Sequence, residues 1–293
     1  MTSQEVLDFY AAPGVFTGLG GFAGQLAARD AASAACIVQG LLIHEGLTNL
    51  YGVSLPPSRA DEKQLHSAPA MLAQALRLDD RPLDQPRAPD KRVVGVCRHF
   101  ATLFVALMRG RGVPARARCG FATYFAPGKF LDHWVGEYWN ADQGRWVLVD
   151  AQVDAVQRAS FGLDIDTLDV PRNRFLVGGD AWRACRNGAD PMSFGVAGTR
   201  MWGLVEVYGD LFQDLAALRK IELLPWGWYG LALDERGMAE TALIDRLAAI
   251  SSHADAEALA ALEDALERDS RLRVPSAIVA EIVAAEGLQV AAG

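Results

Sequence analysis

Apolar and polar positions alternate with two different periods along this chain, and the changes of period mark its elements. From Gln25 to Tyr51 apolar residues such as Leu26, Ile37, Val38, Leu41 and Leu50 recur at helical spacing, which predicts one buried helix or a pair. A shorter helix is predicted from about Ala60 to Leu78, behind Pro56 and Pro57. The run DDRPLDQPRAPDKR then reads as an extended loop, because Pro82, Pro86 and Pro89 do not fit a helix interior. VVGVC is a short apolar approach to a helix with one apolar face, Phe100, Leu103, Phe104, Leu107 and Met108; Gly110, Gly112 and Pro114 stop it. Beyond Pro114 the period drops to two. ARARCGFATYF, HWVGEYW and WVLVD read as three antiparallel strands joined by APGK and NADQGR and packed on the helix that Cys97 opens.

After Asp154 the pattern loosens. DTLDVPRNRF is loop-like, residues 174–202 show no clear period, 204–224 are helical again, and PWGWYG is an aromatic turn. From Met238 onward come short Ala-rich helices, with Ser252, Asp255 and Pro275–Ser276 as start signals and Gly287 as a stop. The expected fold class is α+β: an antiparallel sheet packed on the Cys97 helix, with helical N- and C-terminal extensions. The expected division is a catalytic domain over 1–175 and a mainly helical extension over 176–293. No internal repeat or low-complexity tract interrupts it.

Composition narrows the function classes. With 51% hydrophobic and 22% charged residues, the chain has ample material for a packed core. Its net charge of −8 argues against a nucleic-acid surface, which needs clustered Lys and Arg. The N-terminal stretch carries Glu5 and Asp8 and lacks the basic-then-apolar order of a secretory signal. No run approaches the roughly 18 apolar residues of a membrane span. A cytoplasmic location without membrane partners is the expectation. Cys36, Cys97, Cys119 and Cys185 include no Cys-x-x-Cys pair, so free thiols are expected, three of them as small core residues. The glycines at 18, 20 and 21 match no phosphate loop and read as a turn. His44 and Glu45 lack a second histidine four residues away and read as packed or solvated side chains. Trp226, Trp228 and Tyr229 read as a packed hinge rather than a ligand platform. No metal and no organic cofactor are expected.

The chemistry concentrates between Gly95 and Asp154. Cys97 opens a helix, where unpaired backbone N–H groups favour a thiolate; His133 opens a strand and Asp150 closes another. A thiol nucleophile needs a base, and the base needs a group that orients its ring and stabilises its cation. Cys97, His133 and Asp150 are the candidates for these roles in that order. His99 lies two residues from Cys97 and so points to a different side of the helix, which suits packing or the rim. Asp154 is a fallback for Asp150, and Asp132 also adjoins the set. Arg98 follows the nucleophile, where its cation either lowers the cysteine pKa or binds an acidic substrate group, or else is simply solvated.

Gly95-x-Cys97 with Phe100–Ala101 and Leu103, then Gly112-Val113-Pro114-Ala115-Arg116, Asp132-His133-Trp134-Val135 with Glu137-Tyr138, and Trp146-x-x-x-Asp150 together resemble the transglutaminase-like superfamily core. That core also occurs in peptide N-glycanases and many bacterial proteases. The resemblance spans about Val93 to Asp154. It implies a papain-like α+β fold with a Cys97–His133–Asp150 triad acting on amides or thioesters through an acyl-enzyme. It implies Trp134 beside the site and an oxyanion held partly by the Cys97 backbone N–H; the second donor has no assignment. Arg98 departs from the pattern, standing where many relatives carry a small or aromatic residue, and is a candidate substrate contact on its position alone. The expected function is a cysteine hydrolase of an amide or peptide bond. The alternatives are an amide-forming acyltransferase with a thioester or amide donor, and a non-catalytic binding module. The partner is then a peptide or a small amide or thioester; nothing in the sequence indicates an oligomeric state.

Overall fold

In a computed structural model of the protein, which describes residues 2–26 and 28–288, the first helix, α1 (Ser3–Ala11), starts at a Thr2–Glu5 capping box. The long apolar run from Gln25 onward becomes α2 (Ala31–Leu41), started by the Asp30 carboxylate accepting the Ser33 N–H at 2.8 Å. It does not continue to Tyr51 as its spacing predicts. Leu42–His44 is a short strand, β1, which meets a second short strand, so the backbone groups of both are satisfied by pairing. The chain runs next through α3 (Ala68–Leu78), capped by Ser67, to that partner, β2 (Val93–Gly95). The pair is parallel and sets His44 opposite Gly95, two residues before Cys97.

Helix α4 (Cys97–Arg109) is the axis of the molecule. Its predicted apolar face is present, yet every residue along it is buried, including the polar Arg98, His99, Thr102 and Arg109. Remote partners make this possible. Arg109 donates to the Ala115 carbonyl at 2.8 Å and to the Thr17 hydroxyl at 2.7 Å, and His99 Nδ1 accepts the Val96 N–H at 3.1 Å. His99 thus closes the first turn of the helix, a packing role.

The period-two segments form β3 (Ala115–Ala122), β4 (Phe130–Asn140) and β5 (Arg145–Val149), antiparallel in the order β5-β4-β3. Gly136 lets α4 lie close on this sheet: a Cβ there would sit 2.3 Å from the Phe104 ring. After α5 (Ala155–Phe161) the sheet gains β6 (Phe175–Val177) on the free side of β3. Gly120 is needed at that junction, since a Cβ would stand 2.1 Å from the Leu176 carbonyl oxygen. Then follow α6 (Gly178–Arg186), β7 (Phe194–Gly195), which runs parallel to β4, and α7 (Leu204–Leu218). The segment without clear period therefore holds two strands and a helix.

Helix α7 lies along β3, and its Asp214 receives the Cys119 N–H at 3.0 Å and the Arg118 guanidinium at 2.8 Å. Arg118 also reaches Glu137, which Arg116 meets at 2.6 Å, so a fully buried ion network joins sheet to helix. Helices α8 (Thr241–His253) and α9 (Ala256–Arg268) complete a second apolar core with α6 and α7. Asp255 caps α9, and α10 (Ser276–Glu286) ends at Gly287, as predicted, whereas Ser252, expected with Asp255 as a start signal, lies inside α8. Glu286 fastens α10 to the N-terminal half by accepting the His66 and Ser67 N–H groups. Sheet and helices together make the expected α+β class. Among the described residues no helix is long and apolar enough to cross a membrane.

Candidate active site

A cavity of about 510 Å³ opens where the start of α4 meets the beginning of β4. Cys97 and His133 both line it. Cys97 comes there as the first residue of α4, carried by β2 and the extended Val96, and is only 7% exposed. His133 comes from β4, opposite Gly120 of β3.

Asp150 follows the last residue of β5, and the end of that strand brings it against His133. His133 Nε2 lies 2.9 Å from Asp150 Oδ2. The same oxygen accepts the Tyr124 hydroxyl at 2.7 Å, while Oδ1 accepts the Gln152 N–H at 3.0 Å. Burial alone would raise the Asp150 pKa; the His133 charge and these hydrogen bonds outweigh it and hold the carboxyl below its ordinary value. The group beside the imidazole is therefore an ionised, fully engaged carboxylate. Phe125 packs edge-on against the His133 ring at 5.0 Å and further restricts it.

The thiol differs from expectation. The helix start predicts a depressed Cys97 pKa, but burial pushes the thiol well up and the nearby Asp132 carboxyl adds to that. Backbone N–H groups of Trp134 and Arg98 pull the other way without prevailing. The resting side chain is a neutral thiol, and a thiolate there requires a base to take its proton.

The other site candidates lie elsewhere. Arg98, expected as a cation at the site, is fully buried, with its guanidinium bonded to the carbonyls of His66, at 2.5 Å, and Glu222. It straps α4 to the chain after α7 and does not reach the cavity. Trp134 follows His133 on a strand and so faces the opposite side of the sheet, where its ring is 1% exposed in the core beneath α4. Its backbone N–H reaches the Cys97 sulfur, and its ring shares the buried cluster that holds Cys97 but does not line the cavity. Asp154 caps α5 through the Gln157 N–H and accepts the Tyr51 hydroxyl, away from His133. Cys119 is buried, but Cys36 is exposed and Cys185 only half-buried, so the thiols are less uniformly core residues than expected.

Two features of the cavity are absent from the sequence reading. His44 lines it from the end of β1, with Nδ1 accepting the Gly46 N–H at 3.1 Å. Burial, reinforced by His133, lowers its pKa to about 4, so it is neutral at pH 7 and its proton resides on Nε2. Helical spacing through this stretch hides a three-residue strand that aims the ring. The second feature is an acidic wall. Asp132, Glu206 and Asp210 line the cavity, and no salt bridge reaches any of them among the described residues. The aromatic turn, expected as a hinge, contributes Trp226 and Trp228 to the lining, while Tyr229 is buried with its hydroxyl on the Phe212 carbonyl.

Ligand atoms of Cys119, Asp132 and Asp210 come within 4.8 Å of one another, which makes this trio the one group of described residues close enough to share a metal ion. The set joins a soft sulfur to two hard carboxylates. Burial pushes the Cys119 thiol well up, so it is a protonated packing group rather than a ready ligand.

No curated protein matches the chain. A solved structure of a candidate cysteine protease from Cytophaga hutchinsonii superposes with a TM-score of 0.34 and 20% identity, over 59% of this chain and 45% of that one. The chain thus spans under half the length of that protein, and the likeness is too loose to bear on the site. Residues 77–151 match the model of the transglutaminase-like superfamily, a stretch that contains Cys97, His133 and Asp150. Over about a quarter of its length, and through the segment that holds these three residues, the chain is therefore similar to a transglutaminase-like core.

Proposed function

We propose that the protein is a cysteine hydrolase that cleaves an amide or peptide bond through an acyl-enzyme, with Cys97 as nucleophile, His133 as base and Asp150 as the group that orients it. The observation that carries this reading is the engagement of His133 by its Nε2. With Nε2 held by an ionised Asp150, Nδ1 is left for the thiol that lines the same cavity. Proton transfer from Cys97 to His133 creates an imidazolium beside the Asp150 carboxylate, which offsets part of the cost of the buried charge. The thiolate attacks the carbonyl, and His133 then donates the proton to the leaving amine.

The developing oxyanion needs donors. The Cys97 N–H, the first of α4, has no hydrogen-bond partner among the described residues and is the first donor. His44 Nε2–H supplies the second donor: neutral, fixed by Gly46, and without a hydrogen-bond partner among the described residues. A donor of this kind contributes about 3 kcal/mol to such a transition state.

The test is alkylation of Cys97 by iodoacetamide as a function of pH, read by mass spectrometry. Because the resting thiol is neutral, wild type is expected to label at pH 7 only as fast as His133 takes its proton, and His133→Ala to label severalfold more slowly there and to approach wild type at alkaline pH. Identical profiles would refute the base assignment. Release to an amine in place of water uses the same triad, so activated esters with and without hydroxylamine separate hydrolysis from transfer.

A further inference from the structure

From the residues opposite the nucleophile we infer that the cavity selects a substrate carrying a cationic group, an alkylammonium or guanidinium, seated against Glu206, Asp210 and Asp132. The inference rests on the reading of Cys97 as nucleophile and goes beyond it by naming the substrate class.

Glu206 carries the most weight. It stands in the first turn of α7, is 6% exposed, lines the cavity, and has no hydrogen-bond or salt-bridge partner for its carboxylate among the described residues. Its carboxylate oxygens keep access to the cavity, while beside it Asp132 Oδ1 and Asp210 Oδ2 are fully buried without a hydrogen-bond partner, and polar atoms left so at a cavity wall are suited to a ligand. One turn along, Asp210 adds a second carboxyl to the same wall, and Asp132 adds a third from β4. Neither Lys nor Arg lines the cavity, so nothing on the described protein neutralises this wall.

The acidity is not an incidental solvated patch. Burial and the proximity of Asp132 raise Glu206, and burial with both neighbours raises Asp210 well above the carboxylate range. Asp132 and Asp210 therefore hold a proton between them near neutrality. Glu206 is the carboxyl of this wall that stands in the first turn of α7 and opens onto the cavity. The rest of the lining suits the hydrocarbon that carries such a charge: Leu131, Val196, Met201, Trp226 and Trp228. The Trp226 ring already carries the Lys63 ammonium 5.8 Å from its centroid, so the indoles serve here as apolar lining. An alkyl chain ending in a cation matches this arrangement, whereas an anionic substrate meets like charge.

The experiment uses three methanethiosulfonate reagents with one warhead and different tails: trimethylammonium-ethyl, hydroxyethyl and sulfonatoethyl. Rates of Cys97 modification on the full chain are divided by the rates for free 2-mercaptoethanol, which removes the intrinsic reactivity of each reagent. The cationic reagent is expected to exceed the neutral one by about tenfold after this correction and to saturate, with the anionic one slower than both. Glu206→Gln should cut the cation preference severalfold and Glu206→Asp should retain most of it; Asp210→Asn is the second probe of the wall.

Equal corrected rates for all three reagents on a reactive Cys97 would overturn the cation preference and leave the nucleophile assignment standing. A Cys97 inert to every reagent and indifferent to His133→Ala would instead remove the underlying reading. Protection of Cys97 by magnesium or zinc at concentrations below those of tetramethylammonium would overturn the organic cation in favour of a metal ion.

Discussion

Asp132→Asn should make the protein more stable relative to wild type as pH rises. Burial raises the Asp132 carboxyl from its ordinary 3.8 to about 6, against the lowering effects of His133 and a hydrogen bond with Asp210. Between those two values the folded state holds a proton that the unfolded state has released. The stabilising contribution of the neutral carboxyl is thus complete below the unfolded value and is lost as pH climbs through the folded one. A carboxyl pKa raised from 3.8 to about 6 corresponds to about 3 kcal/mol, which wild type forfeits above pH 6 and the amide does not. Removing the Asp132 charge also relieves Asp210, which adds in the same direction. Urea unfolding followed by tryptophan fluorescence, for both proteins across pH 4 to 8, gives the difference directly. Neutral buried histidines such as His99, depressed by burial to about 3, make both proteins sensitive to acid. They are common to the pair and cancel in the difference. A gap that stays constant with pH would refute the raised carboxyl and the acidic wall built on it.

Three further outcomes follow from the geometry. Asp150→Asn should lower turnover by about two to four orders of magnitude through loss of the oriented imidazole, with a native circular dichroism spectrum; an active variant would mean that His133 is oriented by another group. His44→Phe should cost about two orders of magnitude in kcat at little change in KM, as for a lost oxyanion donor, and His44→Gln should recover part of it; a loss confined to KM would count against that role. Asp214→Ala leaves Arg118 buried without its main partner and should cost about 3–5 kcal/mol in thermal or urea unfolding, whereas a loss near that of a surface salt bridge would show that Glu137 suffices.

Much of the site is legible in the sequence because its chemistry lies at element ends. Cys97 stands where an apolar approach turns into a helix, His133 where a strand begins and Asp150 where one ends, and those boundaries are set by local period and by glycine and proline. The three antiparallel strands are legible for the same reason. Side chains whose partners are remote are not. Arg98 reads as a solvated or catalytic cation until His66 and Glu222, each far along the chain, provide carbonyls for it. Adjacency to His133 suggests a place for Trp134 at the site, but strand alternation puts consecutive side chains on opposite faces. Strands of three residues carry too few positions to show a period, so β1 merges into a helical run and His44 with it.

The acidic wall does leave a trace in the sequence, in the helix that carries it. Glu206, Asp210 and Asp214 recur at four-residue intervals along an otherwise largely apolar α7, so they form one stripe down a single face. The three meet different fates within about two turns. Asp214 is neutralised by Arg118 and by the Cys119 N–H, and serves the joint between helix and sheet. Asp210 faces Asp132 and shares a proton with it, and Glu206, nearest the cavity, has no partner among the described residues. Arg118 shows that the fold can bury a guanidinium against this stripe, and among the described residues no such cation accompanies the upper two carboxyls. On the proposed reading, a cation arriving with the substrate would gain at this wall what Arg118 gains from Asp214 two turns below.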